Sequence, residues 1–503
     1  MIQISYRTLK KYVFLYLLLP CVVFALFLKN FFAICLFTGC ALFYFFGIGL
    51  LGKKDIIIEK EESQSCFLSK KMVVLIFLIL LVWTFLAGHG RWWFQTTDWD
   101  ARNAIFRDLI THRWPVVYEW KNTALSYYIG HWLVPAAIGR VIYLVFGYKV
   151  AWVVGNLALW CWSLIGLFFI ILLLLVLLKA SSKRQILTVI LVFVFFSGMD
   201  ILGAIYMKNI NYLFKAEVLH LEWWSPYQFS SITTCLCWVF NQSIIPWLVT
   251  TCLLLEKNTE NYVFFITITL LCGVFPAVGL AMIMFTLFIV ALIRCILNKE
   301  KLISFFKEYV FSPQNMIVLF SVFPFVFAYI CSNAILAGTS GSNQVVAQGV
   351  GVPIKNIIVF LLVDAGIYII LLFKENKKNV VFYMIMLILL VCPFIKVGSG
   401  NDFTMRASIP ALFILMTLCM QMLLNKKKER GYKIRKTILV VCLIIGGCTP
   451  AVELYRGVYH VVHEKNIFLA SDFTRSFENT EPSINFEAFD YQNTFFYKYL
   501  ADK

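Results

Sequence analysis

Charged side chains are what this sequence has least of. They make up 14% of its 503 residues, against 61% apolar residues that include 48 Phe. A soluble globular chain carries about a quarter charged residues, so a chain this apolar has too little polar surface to enclose a water-exposed fold. Acidic residues are scarcer still, 27 against 44 Lys and Arg, for a net charge of +17. That excess raises nucleic acid as a partner. The cations, however, sit in short clusters between apolar runs rather than along one soluble face, which fits helix orientation in a bilayer and sets nucleic acid aside.

Familiar catalytic signatures are also missing. No Ser-His-Asp order, HExxH, P-loop or GxGxxG stands in a context that supports it. The 15 Cys lie mostly inside apolar runs (Cys235, Cys237, Cys252, Cys272, Cys442) and lack metal-ligand spacing. Cys235-Leu-Cys237 is too tight for a zinc pair and reads as core filler, and no disulfide framework is indicated. The first apolar run follows Arg7, Lys10 and Lys11 as in a signal peptide. No small-residue cleavage site follows it, so it reads as an uncleaved anchor. No sequence repeat is found.

What the chain does have is apolar runs of roughly 18 to 25 residues. They predict an all-α integral membrane protein of about thirteen transmembrane helices, at 12–28, 31–51, 72–88, 150–178, 186–206, 232–254, 262–276, 279–297, 315–336, 356–373, 379–396, 407–424 and 437–455. Pro276 divides the seventh from the eighth, which reads as a tight hairpin. The segment Ile129–Gly147 is apolar enough to cross but carries His131, Pro135 and Arg140. Laid on the membrane surface, it puts Lys179–Arg184, Lys374–Lys378 and Lys426–Lys436 all on the inner side, as the positive-inside rule requires. The N-terminus is then cytoplasmic and the C-terminus external. Residues 1–71 form a transmembrane hairpin with a cytoplasmic linker, 72–455 the membrane core with a large external loop at 89–149, and 456–503 a short external tail.

This topology collects the polar residues on one side. In the first external loop, Asp98-Trp-Asp100 precedes Ile105, Phe106, Leu109 and Ile110 at helical spacing, with Arg102, Arg107 and Arg113 among them. The pattern predicts an amphipathic helix in the interface, its cations meeting lipid phosphates; His112 and Glu119 follow it. One of Asp98 and Asp100 serves as its N-cap, and the other is a candidate general base. In the second loop, His220 and Glu222 share a face of an extended segment beside Trp223 and Trp224, which suit sugar stacking or simple interface anchoring. Glu222 with a first-loop carboxylate such as Asp100 suits a divalent metal; no other cofactor is indicated. In a later loop, Asn401-Asp402-Phe-Thr-Met-Arg406 puts an arginine at a helix mouth, ready to grip phosphate or to pair with Asp402 at i,i+4. Asp364 and Gln242 read as helix-packing polar groups, and Asp200 as a cap or a partner for a lysine.

Together these features resemble the GT-C superfamily of membrane glycosyltransferases, which take sugars from polyprenyl-phosphate or polyprenyl-diphosphate carriers. The resemblance rests on Asp98-Trp-Asp100 in the first external loop, the surface helix ending at Gly147, Glu222 in the short second loop and Arg406 at a later helix mouth. It implies transfer of a sugar from a polyprenyl-phosphate-linked donor to a glycan or lipid acceptor at the outer face of a bacterial inner membrane. Asp98 or Asp100 would be the base, and Arg406 with Arg102 would hold the leaving phosphate. Two features depart from the family pattern: the two spans before Lys53, and the lack of a large soluble C-terminal domain. The competing readings are a transporter or flippase of a lipid-linked or anionic solute, which calls for broken helices and mid-membrane charge, and a surface-glycan polymerase or ligase.

Overall fold

The computed structural model describes residues 2–51, 64–216, 218–256, 259–299, 301–336, 346–347, 353–397, 402–463 and 475–502. It is overwhelmingly helical. Serine caps start many of the helices: Ser5, Ser69, Ser231 and Ser312 accept from the backbone N–H three residues on, and Ser182 forms a reciprocal capping box with Gln185. Among the described residues, seven helices are long and apolar enough to cross a membrane, or nine if each of two bent pairs is one span. Three more apolar helices are shorter: Tyr262–Cys272, Val380–Phe394 and Ile409–Leu424. Large apolar side chains point outward at helical spacing, as with Phe31, Ile34 and Phe37 in the helix Asn30–Gly47. Such a surface belongs in hydrocarbon, and the protein is a membrane protein.

Two sets of connections gather at the ends of the bundle. At the basic end, Ile2–Ser5 pairs antiparallel with Ser65–Leu68, Phe67 N–H donates to Ser181, and Lys10 and Tyr6 meet the buried Glu256. Asn261 also bonds Glu256, and Thr259 reaches Tyr309 O. Arg435 pairs with Glu375 and Lys374 with Glu429. At the loop end stand residues 89–131, the start of Asp402–Ala407, and the tail. The helices Tyr262–Cys272 and Val274–Leu297 are separated at Gly273 rather than Pro276, which sits inside the second. Their far ends return to the same place, since Phe288 touches Phe305, Phe305 touches Tyr309, and Tyr309 O accepts from Thr259.

One helical run extends over Gly130–Leu177, interrupted only at Gly147 (φ 75°, ψ −178°). No atom stands within 4 Å of where a Cβ at Gly147 would lie, so the position demands glycine for its backbone angles and not for space. Before the break, Ile138, Val141, Leu144, Val145 and Phe146 are exposed.

The loop helix Trp99–Thr111 differs from expectation. It is enclosed by protein instead of lying on lipid: Ile105, Phe106, Leu109 and Ile110 are buried, and Ile110 fits against Gly139 and Gly155 of the Gly130–Leu177 helix. The cations are not free for headgroups either, because Arg102 is buried and the exposed Arg113 pairs with Asp502.

The tail is no loose appendage. Glu487–Phe489 adds a third antiparallel strand to the loop hairpin Val117–Tyr118 and Thr123–Leu125. Lys121 and Glu487 form a buried ion pair at 2.9 Å, and Glu487 also accepts from Thr123 and the Ser483 N–H. Asp108, fully buried, accepts from the Tyr118 hydroxyl at 2.7 Å and the Phe477 N–H at 2.9 Å. Removing one member of a buried charge pair strands the other, at a cost of about 3–5 kcal/mol, while replacing both with apolar residues is often neutral. Glu487→Gln should therefore lower the melting temperature and speed proteolysis of the tail, and Lys121→Met with Glu487→Met should restore both. Unchanged proteolysis in the single variant would mean that the strand is held by other contacts.

Candidate functional site

The polar centre of the loop end is built from two helix starts. Gly88, left-handed at φ 89°, ends the helix Lys70–Leu86, and its carbonyl accepts from Gln95, whose own side-chain oxygen accepts from Asn103. This folds residues 88–98 back onto the helix Trp99–Thr111. Trp99 is the anchor of that helix. It stacks on Phe240 at 4.6 Å, and its indole N–H donates to Cys237 O at 2.7 Å. Asp98 holds the N-cap position but makes no cap hydrogen bond; it pairs with Arg102 at 3.0 Å. Residues two apart on a helix are turned about 200° from one another, and Asp100 is exposed, with Arg91 as the cation that feels it.

The second helix start is Asp402–Ala407, in which Arg406 pairs with Asp402 at 3.1 Å. The two Asp–Arg pairs meet around Tyr127 and Tyr128. Arg102 and Arg406 lie close enough to repel, and Tyr127 interacts with both. Burial pushes the Arg102 pKa down, with Asp98 opposing it. Burial also works against the charge on Arg406, but Asp402, then Tyr127, Tyr128 and Asp98, hold its pKa above the ordinary value. Three donors in this pair of guanidiniums, Arg102 Nε and Nη1 and Arg406 Nε, are buried and have no hydrogen-bond partner among the described residues. A buried cation with idle donors is costly, and an anion is what satisfies it.

A broken helix packs against this centre. Ile232–Gln242 and Ile244–Glu256 meet at a bend of 100°, and Gln242 donates to the Tyr127 hydroxyl at 3.3 Å. Both side-chain polar atoms of Asn241 and the Gln242 amide oxygen lack partners among the described residues. His89 packs edge-on between Trp99 and Phe240. Burial pushes its pKa down to about 3, which leaves it neutral at ordinary pH.

The second-loop residues go elsewhere. His220 bonds Glu453, which also receives Arg456 at 2.7 Å and the Trp238 indole at 3.0 Å. Glu222 does not share this face. It is buried and accepts from the Ser231 N–H at 2.8 Å and Gln228 at 2.6 Å. A metal site joining Glu222 to Asp100 is therefore not formed, and no group of three or more metal-ligating side chains occurs among the described residues. Trp223 is half exposed against the His220 ring, while Trp224 donates to Asp200. Asp200 neither caps nor meets a lysine; Ser197, Thr449 and Trp224 fill its oxygens. Asn401 lies outside the described residues.

In the sequence Gln242 reads as a helix-packing group, while Tyr127, Tyr128 and Glu453 were not singled out. A signal existed for the last, because Glu453 and Arg456 stand at i,i+3 inside an otherwise apolar helix. No family model, curated protein or solved structure matches the chain.

Burial raises the Glu222 pKa to about 7 from 4.5, with His220 opposing and Asp200 adding to the shift. The folded protein then holds a proton that the unfolded chain releases, so this group's contribution to stability falls as pH rises from about 4.5 to about 7, and is level above. Melting curves across that window should converge on a pH-independent offset when Glu222→Gln is compared with the parent above pH 7. The same slope in both proteins below pH 7 would assign the titration to another group.

Proposed function

We propose that the protein is a membrane glycosyltransferase that draws its sugar from a polyprenyl-phosphate or -diphosphate donor and passes it to a glycan or lipid acceptor. The observation that carries this reading is the pair of neighbouring guanidiniums, Arg102 and Arg406, each beside one carboxylate and together keeping three buried N–H donors without a partner among the described residues. Arginine donors in that arrangement suit phosphate oxygens.

In the proposed reaction Asp98 is the base. One of its oxygens is held by Arg102, and the side chain remains about half exposed, at 44%. It takes the proton from the acceptor hydroxyl while that oxygen bonds to the anomeric carbon. The bond from this carbon to the phosphate oxygen breaks with its electron pair going to the phosphate, which Arg102 and Arg406 stabilise. Asp100, turned away from the pair, has no part in proton transfer, and Asp402 keeps Arg406 placed. The basic end of the bundle would face the cytoplasm and the site the opposite side of a bacterial inner membrane. The remaining helix passes would take the count of spans toward thirteen.

A second reading, translocation of a lipid-linked solute, draws on two observations: the 100° bend with its idle amide atoms, and Asp364, buried without a partner for either oxygen among the described residues, in a π-helical turn at Leu362–Gly366. Breaks and buried charges of this kind line transport paths.

Purified protein supplied with polyprenyl-phosphate sugars decides between them. Proton transfer is worth about 10²–10⁴-fold, so Asp98→Asn should lower kcat by that factor in a protein that still folds. Its melting temperature should fall only by the loss of the pair with Arg102, and Asp100→Asn should stay near the parent. Arg406→Lys should lose turnover as well, because the fork geometry goes with the guanidinium. If Asp98→Asn keeps full turnover, the base is misassigned. If vesicles show lipid-sugar crossing that needs Asp364 and no product forms, the transferase reading fails.

A further inference from the structure

A second feature lies at the other end of the molecule, away from Arg102 and Arg406. A groove of about 760 Å³ runs between the helix Lys183–Phe195 and the helices Ile409–Leu424 and Arg430–Gly446. Its mouth carries Arg184, Lys426, Lys436 and Gln185, and its body is apolar, with Leu191, Phe195, Leu443 and Ile444 along it. Leu191 is 57% exposed and Ile444 70%, so the body opens to the hydrocarbon around the protein.

The charges at the mouth are unbalanced. Neighbouring cations are paired, Lys374 with Glu429 and Arg435 with Glu375. Arg184, Lys426 and Lys436 have no carboxylate partner among the described residues, and Arg184 and Lys436 stand close enough to repel each other. The N-terminus of the helix Lys183–Phe195 opens at the same mouth, where its dipole adds positive potential. Thirteen residues of helix give a wall of about 20 Å, deep enough for an acyl chain. Cations over an apolar cleft match one kind of molecule: an anionic head on a hydrocarbon chain.

We propose that this groove binds one anionic phospholipid from the leaflet at the basic end, its phosphate among Arg184, Lys426 and Lys436 and an acyl chain between Leu191, Phe195 and Ile444. The site is separate from the proposed phosphate clamp and does not depend on transfer chemistry.

The test is native mass spectrometry of the full chain in neutral detergent, with phosphatidylglycerol or phosphatidylcholine of matched chains added. Phosphatidylglycerol should be retained about tenfold better, since each cation near a headgroup changes affinity several-fold. Arg184→Gln with Lys436→Gln should reduce that preference to parity, whereas Lys433→Gln, an exposed charge outside the groove, should not. Ile444→Trp fills the body and leaves the cations, and should weaken retention by itself. Melting temperatures close to the parent's qualify each variant. Equal retention of the two lipids by the parent would overturn the proposal. So would an undiminished preference in the double variant, or an Ile444→Trp protein that binds as before, because an anion held without its chain is not a seated lipid. Full competition by millimolar inorganic phosphate would likewise replace the lipid with a free anion.

Discussion

A guanidinium taken out of water must find negative charge, and the loop end of this protein is arranged around two that do so only in part. Arg102 is 4% exposed, and the Arg406 side chain beside it is 12% exposed. Each has one carboxylate at i,i+4, Asp98 and Asp402, and among the described residues Arg102 keeps two idle donors and Arg406 one. A local pair on a helix surface contributes a few tenths of a kcal/mol, far below the cost of burying charge. The surrounding fold has to hold the two cations together, and it does so with the anchored Trp99, the Tyr127–Tyr128 step and the bend at Ser243. An arrangement that leaves such donors idle is poorly optimised for stability, which is the usual mark of a site made for something else.

The tail is part of the same economy. Asp108 and Glu487 are buried carboxylates that tie residues 475–502 to the loop helix and its hairpin. Arg102 lies six residues before Asp108 on that helix, so the tail braces the element that carries Arg102. The His220–Glu453–Arg456 cluster does comparable work from the opposite flank. It locks the helix Cys448–His463 to Ile232–Val239, whose Cys237 carbonyl holds Trp99.

The membrane class and the grouping of polar segments at one end were legible in the sequence, because apolar run length and basic clusters report directly on the bilayer. So was the Asp402–Arg406 pair, which is a matter of helical spacing. The choice between Asp98 and Asp100 was not, since it depends on which side of the loop helix faces the second arginine. An amphipathic pattern also does not say whether its apolar face meets lipid or protein, and here it meets the Gly130–Leu177 helix. The tail strand is three residues long, and its partner lies hundreds of residues earlier, so no local pattern marks it. Glu222 was legible as a carboxylate in a loop but not as a buried one; its bonds from the Ser231 N–H and Gln228 take the oxygens that a metal would need.

The broken helix can be explained without transport. A helix leaves its last carbonyls without partners, and the helix Ile232–Val239 ends just past Cys237. The Cys237 carbonyl accepts from the Trp99 indole at 2.7 Å and the Thr96 hydroxyl at 3.5 Å. Had the helix run straight on, that oxygen would have gone to an N–H four residues later, and the first turn of the loop helix would have lost its anchor. Asp98 and Arg102 sit on that turn. The bend thus supplies the acceptor that fixes this turn, and it brings Gln242 to Tyr127 by the same geometry. Once the break has this structural use, the case for a translocation path rests on Asp364 alone, one buried acid on a different helix.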